Sequence, residues 1–353
     1  MPIPRHTALA PLMGLIPGLL FGLLGILAPG AARADHAQCL VDLDQGHFSW
    51  SVPGQNEPVT IIVPAAAQHL ASLDSLMAAG ADATALRNEL GAEILGPALE
   101  LVAAIEDWRF IPMQVEGVPG RLGALTALNL PDGRAALMEH RISIGWPSPL
   151  HVPLRRDEMK TSGPLLLSSP FRPGIEPALD DPDTLRHALH RALRTVRLIP
   201  RNETDSSTLR RALEESRPAL WWFRAGSGQL AGLQPALGAL PRVVVWTLPS
   251  YEAGASPSLS PVTLASGGIG PACVLVSSRA ISETRLAGLA RSFCDGLARG
   301  LTCGQALVEA QRDLAADETD PIRIQAAAAL VLIGDPMATV PLRRAPWLRR
   351  LWR

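Results

Sequence analysis

The chain changes its hydrophobic period several times, and the changes mark its elements. Residues 47–52 (HFSWSV) and 59–63 (VTIIV) are short aromatic and β-branched runs around a Pro/Gly turn, and they predict two strands. From 65 to 108 the sequence is alanine-rich and helical. Its best-defined part places Leu86, Leu90, Ile94, Leu95, Leu99, Leu101 and Val102 on one apolar face. Residues 109–115 (RFIPMQV) read as a strand, 116–120 (EGVPG) as a turn and 122–130 as a short helix. Further strands are predicted at 141–145, 164–168, 196–199, 220–223, 243–246 and 272–276. Helices are predicted from 181 to about 193, from a DSST cap at 205–208 through 215, and at 283–299 and 303–315, followed by a last apolar run at 326–333. A polar loop covers 148–163.

Short, fully apolar strands separated by helices predict an α/β fold with a mostly parallel central sheet covered on both faces. There is no internal repeat and no long linker, so the body reads as one domain. The first 34 residues break from it. Arg5 precedes an uncharged stretch at 7–32, and Ala32-Arg33-Ala34 supplies a small-x-small cleavage site. The stretch 9–27 approaches membrane-spanning length, and Gly14, Gly18 and Gly22 recur at four-residue spacing, so an uncleaved anchor is the alternative. Pro11, Pro17 and Pro29 count against a straight anchor. Either way the body is expected outside the cytoplasm, periplasmic or extracellular. At the other end, 341–353 carries five arginines and two tryptophans. That composition suits an anionic membrane surface or an acidic partner, against the simpler reading of a frayed, solvated terminus. Membrane contact is thus expected through 8–30 and 341–353.

Composition narrows the chemistry. A net charge of −1 leaves no global field for nucleic acid, and 47% hydrophobic with 18% charged residues fits a globular protein. The four cysteines form no CxxC pair, and His47, His140 and His151 have no carboxylate or thiol at ligand spacing, so neither a metal nor another cofactor is expected. In an oxidising compartment Cys294 and Cys303 are candidates for a disulfide, with buried free thiols as the alternative. The stretch LWWFRAGSGQL (220–230) runs from a strand into a glycine-flanked turn that holds up Ser227. A nucleophile elbow would need glycines where Ala225 and Gln229 stand, and the nearest bases in sequence, His187 and His190, share a helix face among arginines. The GGIG at 267–270 precedes a strand, whereas a phosphate cradle must follow one. Of the adjacent Trp221 and Trp222, at least one is expected in the core, since neighbouring strand residues point to opposite faces.

The C-terminal third carries ACVLV at 272–276, SFCDGL at 292–297, GLTCGQALVEAQ at 300–311 and AALVLIGDP at 328–336. Upstream stand ILGP at 94–97, FIP at 110–112, GALTAL at 123–128 and NETDSSTL at 202–209. In order and spacing these resemble the CHAT family, caspase-like domains of the clan that also holds separases and gingipains, over roughly 84–340. The resemblance implies a caspase-like three-layer sandwich, with 35–83 as an N-terminal strand/helix extension. It also implies cysteine peptidase chemistry, with the histidine in H-F-A-G-H-G and the cysteine in L-S-A-C. On this chain Ser227 falls at the histidine, between Gly226 and Gly228, and Pro249 at the cysteine; a shift of one places Leu248 or Ser250 there. No cysteine occurs between Cys39 and Cys273 and no histidine after His190, so neither loop supplies its half of the dyad. The expectation is a non-catalytic domain holding a peptide or protein partner in a cleft formed by Arg224, Gly226, Ser227, Gly228, Thr247, Ser250, Tyr251 and Arg279. The alternatives are a serine-type hydrolase using Ser227 or Ser250, and a membrane-associated structural protein.

Overall fold

A computed structural model describes residues 36–55, 57–113, 123–145, 163–168, 182–193, 195–199, 206–224, 243–247, 273–279, 281–316, 321–340 and 342. Residues 36–353 form one compact unit. Along it run strands β1 (His36–Asp42), β2 (His47–Ser51) and β3 (Val59–Ile62), then helices α1 (Ala66–Ala78), α2 (Thr84–Ile94) and α3 (Leu99–Val102). Strand β4 (Asp107–Pro112), helix α4 (Ala136–Glu139) and strand β5 (Arg141–Ile144) follow. The second half has β6 (Leu165–Ser168), α5 (Pro182–Ala192), β7 (Val196–Ile199), α6 (Ser206–Ser216), β8 (Leu220–Arg224), β9 (Val243–Thr247) and β10 (Cys273–Ser277). It closes with α7 (Glu283–Ala298), α8 (Cys303–Ala315), α9 (Pro321–Ala327) and β11 (Leu330–Gly334).

All eleven strands share one sheet in the order β3-β2-β1-β4-β5-β11-β10-β9-β8-β6-β7. Two parallel blocks make it up. Strands β1, β4, β5 and β11 run one way; β10, β9, β8, β6 and β7 run the other. The blocks meet at the antiparallel β10–β11 pair, and β2 and β3 extend the first block as an antiparallel meander. The sheet is mostly parallel with helices packed on it, as the pattern predicts. In the second block alternate residues of each strand feed two separate cores. Leu165, Leu167, Trp222, Val245 and Leu275 pack against α5, α7 and α8. Leu166, Trp221, Phe223, Val244 and Val276 join the core that also holds α1, α2, α6 and α9.

The structure differs from the sequence reading in three places. The helical stretch expected to reach residue 108 ends with α3 at Val102, and Trp108 is a fully buried strand residue. Its alternation with Phe110 and Pro112 is a period of two, masked by the alanine-rich segment before it. Trp108 is fixed there by stacking on His140 at 3.8 Å and by its indole N–H donating to the carbonyl of Val102 at 3.1 Å. Strand β1 was not anticipated. Its buried residues are Ala37, Cys39 and Val41, three small side chains alternating with half-buried ones, and so a faint signal. Of the helix expected at 122–130, residues 123–125 are helical and 126–130 are not. The turn at 116–120 and most of the loop at 148–163 lie outside the described residues.

The motifs of the C-terminal third are accounted for by packing. Gly300 ends α7 at φ +92°, a left-handed conformation that costs glycine little. Thr302 and Gln305 form a reciprocal capping box on α8. A Cβ on Gly304 would lie 2.9 Å from that of Pro336. Buried Gln311 donates from its amide nitrogen to the carbonyls of Ala327, at 2.9 Å, and Leu330, at 3.1 Å, tying α8 to the α9–β11 junction. Replacing Thr302 with Ala should cost about 1 kcal/mol. Gln311→Leu, which strands two buried carbonyls, should cost about 2–4 kcal/mol. Urea unfolding of the two variants checks both, and equal losses would contradict this ordering.

Candidate functional site

Strands β6, β8, β9 and β10 are parallel neighbours in the sheet, so their carboxyl ends line one edge. From β6 the chain goes outward to β7 and returns to β8 on the other side. In open α/β sheets such a reversal opens a crevice at the strand ends. The strands are apolar until their last residues. There they turn polar and stay buried: Ser168, Arg224, Thr247 and Ser277 end β6, β8, β9 and β10 at 2% exposure or less. The register places Arg224 beside Thr247.

Tryptophans underlie this row. Trp221 and Trp222 are both fully buried on opposite faces of β8. The indole N–H of Trp221 donates to Ser168 Oγ at 2.7 Å, and that of Trp222 donates to Thr247 Oγ1 at 3.2 Å. A buried indole nitrogen needs such a partner, and the strand-end hydroxyls provide it. The hydroxyls are thereby engaged as structural acceptors.

After β10 the chain passes Ser278 and Arg279, both buried. Ser278 Oγ donates to the carbonyl of Ala329 at 3.1 Å and accepts from Arg279 Nη2 at 3.2 Å. That Nη2 lies 3.9 Å from Asp74 Oδ1 on α1, beyond hydrogen-bond reach. Arg279 Nη1 and Asp74 Oδ1 are both buried without a hydrogen-bond partner. Arg87 on α2 is also buried; its Nε donates to the carbonyl of Ala127 at 2.6 Å and its Nη2 to Asn129 Oδ1 at 2.5 Å. Burial pushes Arg279 down to about 10 against the pull of Asp74. Arg87 is also pushed down to about 10, by burial first and then by the charge of Arg279. Burial raises the Asp74 carboxyl, and the nearby Arg279 only partly offsets that.

Of the residues proposed from sequence, Arg224, Thr247 and Arg279 are brought to one edge of the sheet. The other proposed positions, Gly226, Ser227, Gly228, Pro249, Ser250 and Tyr251, lie outside the described residues. Cys294 and Cys303 are free, each packed into the apolar face that α7 and α8 share with the sheet. Cys39 and Cys273 are also buried free thiols, and burial pushes Cys39 and Cys294 up, away from the thiolate. Among the described residues no three His, Cys, Asp or Glu side chains are placed to hold a metal ion, and no helix is long and apolar enough to cross a membrane. Asp74 and Arg87 were missed in the sequence. Their spacing was a usable signal: Asp74 is four residues from Leu70 and Arg87 three from Leu90, so both fall on the buried faces of their helices.

Comparison with known proteins finds no matching family model and no match among curated proteins.

The raised Asp74 carboxyl gives a signed expectation. The folded state holds this proton more tightly than the unfolded one, so stability falls as pH rises from the unfolded value of 3.8 through the folded one. Asp74→Asn, isosteric with the protonated acid, should therefore be at least as stable as wild type at pH 7, with its advantage vanishing in acid. Thermal unfolding across pH checks this. A neutral-pH loss of about 3–5 kcal/mol would instead mark the Asp74–Arg279 pair as a net tie.

Proposed function

We propose that this chain is an exported, caspase-like domain of the CHAT type that binds a peptide or protein partner and does not cleave it. One observation carries the reading. The loops in which the family holds its histidine and cysteine leave from β8 and β9, and those strands are parallel neighbours whose last residues, Arg224 and Thr247, lie side by side. Two groups on adjacent strand ends are what a dyad requires. On this chain those loops carry Ser227 and Pro249.

Among the described residues the missing chemistry is not supplied from elsewhere. Nucleophilic attack needs a thiolate, and the four cysteines are buried. Cys273, the one nearest in sequence, begins β10 and so sits at the opposite end of its strand from this edge. Of the hydroxyls at the crevice, Ser168 and Thr247 already accept indole N–H groups, Ser277 donates to the carbonyl of Arg279, and none has an imidazole beside it among the described hydrogen bonds. What the edge offers is a shaped, hydrogen-bonded rim with buried cations, which suits recognition better than turnover.

Purified full-length protein is therefore expected to leave a diverse peptide library intact and to remain unlabelled by serine- and cysteine-directed covalent probes. A photo-crosslinker placed at Ser227 is expected to capture a specific peptide or protein. Peptide cleavage that disappears in Ser227→Ala would overturn the reading, as would a crosslinker that captures nothing beyond what an exposed α6 position captures.

A further inference from the structure

We draw no further inference here: the strongest candidate, the face of strands β1 to β4 that carries exposed Ile62 and half-buried Leu40 and Ile111, is an apolar sheet face, and nothing in the structure shows what covers it.

Discussion

Strand β11 is the constraint on which the rest of the structure depends. It pairs antiparallel with β10 over five residue pairs and parallel with β5 through Ile333 and Ile144. Without it the sheet would be two separate parallel blocks pointing in opposite directions. Reaching this slot requires the chain to leave β10, cross one face as α7 and α8, and return through α9. Parallel blocks cannot be joined edge to edge in opposite senses except through one antiparallel pair, and β10–β11 is that pair. The close contacts along α7 and α8 serve this return path. Gln311 holds the carbonyls on either side of the α9–β11 junction, and Gly304 lets Pro336, just past β11, approach the first turn of α8.

That placement also determines what surrounds the candidate edge. Because β11 runs antiparallel to β10, it begins where β10 ends, and its first residues lie against the β10–α7 turn. Ser278 bonds twice to the carbonyl of Ala329, once through its backbone N–H and once through its hydroxyl. The turn is thereby pinned, and Arg279 is directed inward toward α1. The edge therefore carries buried cations and indole-bonded hydroxyls. All four cysteines are buried, and burial pushes the Cys39 and Cys294 thiols up, away from the thiolate.

The sequence was legible where hydrophobic period and residue type agree. The apolar strands of the second block and the amphipathic α7 and α8 were placed within a residue or two, because four or five consecutive Val, Leu or aromatic residues leave little else to form. Legibility failed where alanine dominated. From 65 to 108 nearly any period can be read, and the turn at Gly80 and the strand at Trp108 were lost inside it. Sheet order was not legible at all, since the placement of β11 between β5 and β10 is a long-range fact. The candidate edge was legible as a set of strand ends, Arg224, Thr247 and Arg279, but not in its underlying support. Asp74 and Arg87 come from helices that both lie roughly two hundred residues upstream of Arg279, which no local pattern connects to that turn.

The polar groups at the edge differ in how well they are satisfied, and the difference has a direction. Indole–hydroxyl pairs beneath the strand ends are complete, so Trp221 and Trp222 make the edge rigid. Asp74 and Arg279 are not complete: they face each other across 3.9 Å with one buried atom apiece unbonded. At that distance the attraction between Asp74 and Arg279 is outweighed by the desolvation of both charges. The raised carboxyl of Asp74 expresses that imbalance. Evolution could remove it with two apolar side chains, and the fold would lose little stability. The cost falls on the turn that follows β10, where Arg279 is held by the hydroxyl of Ser278 and not by Asp74.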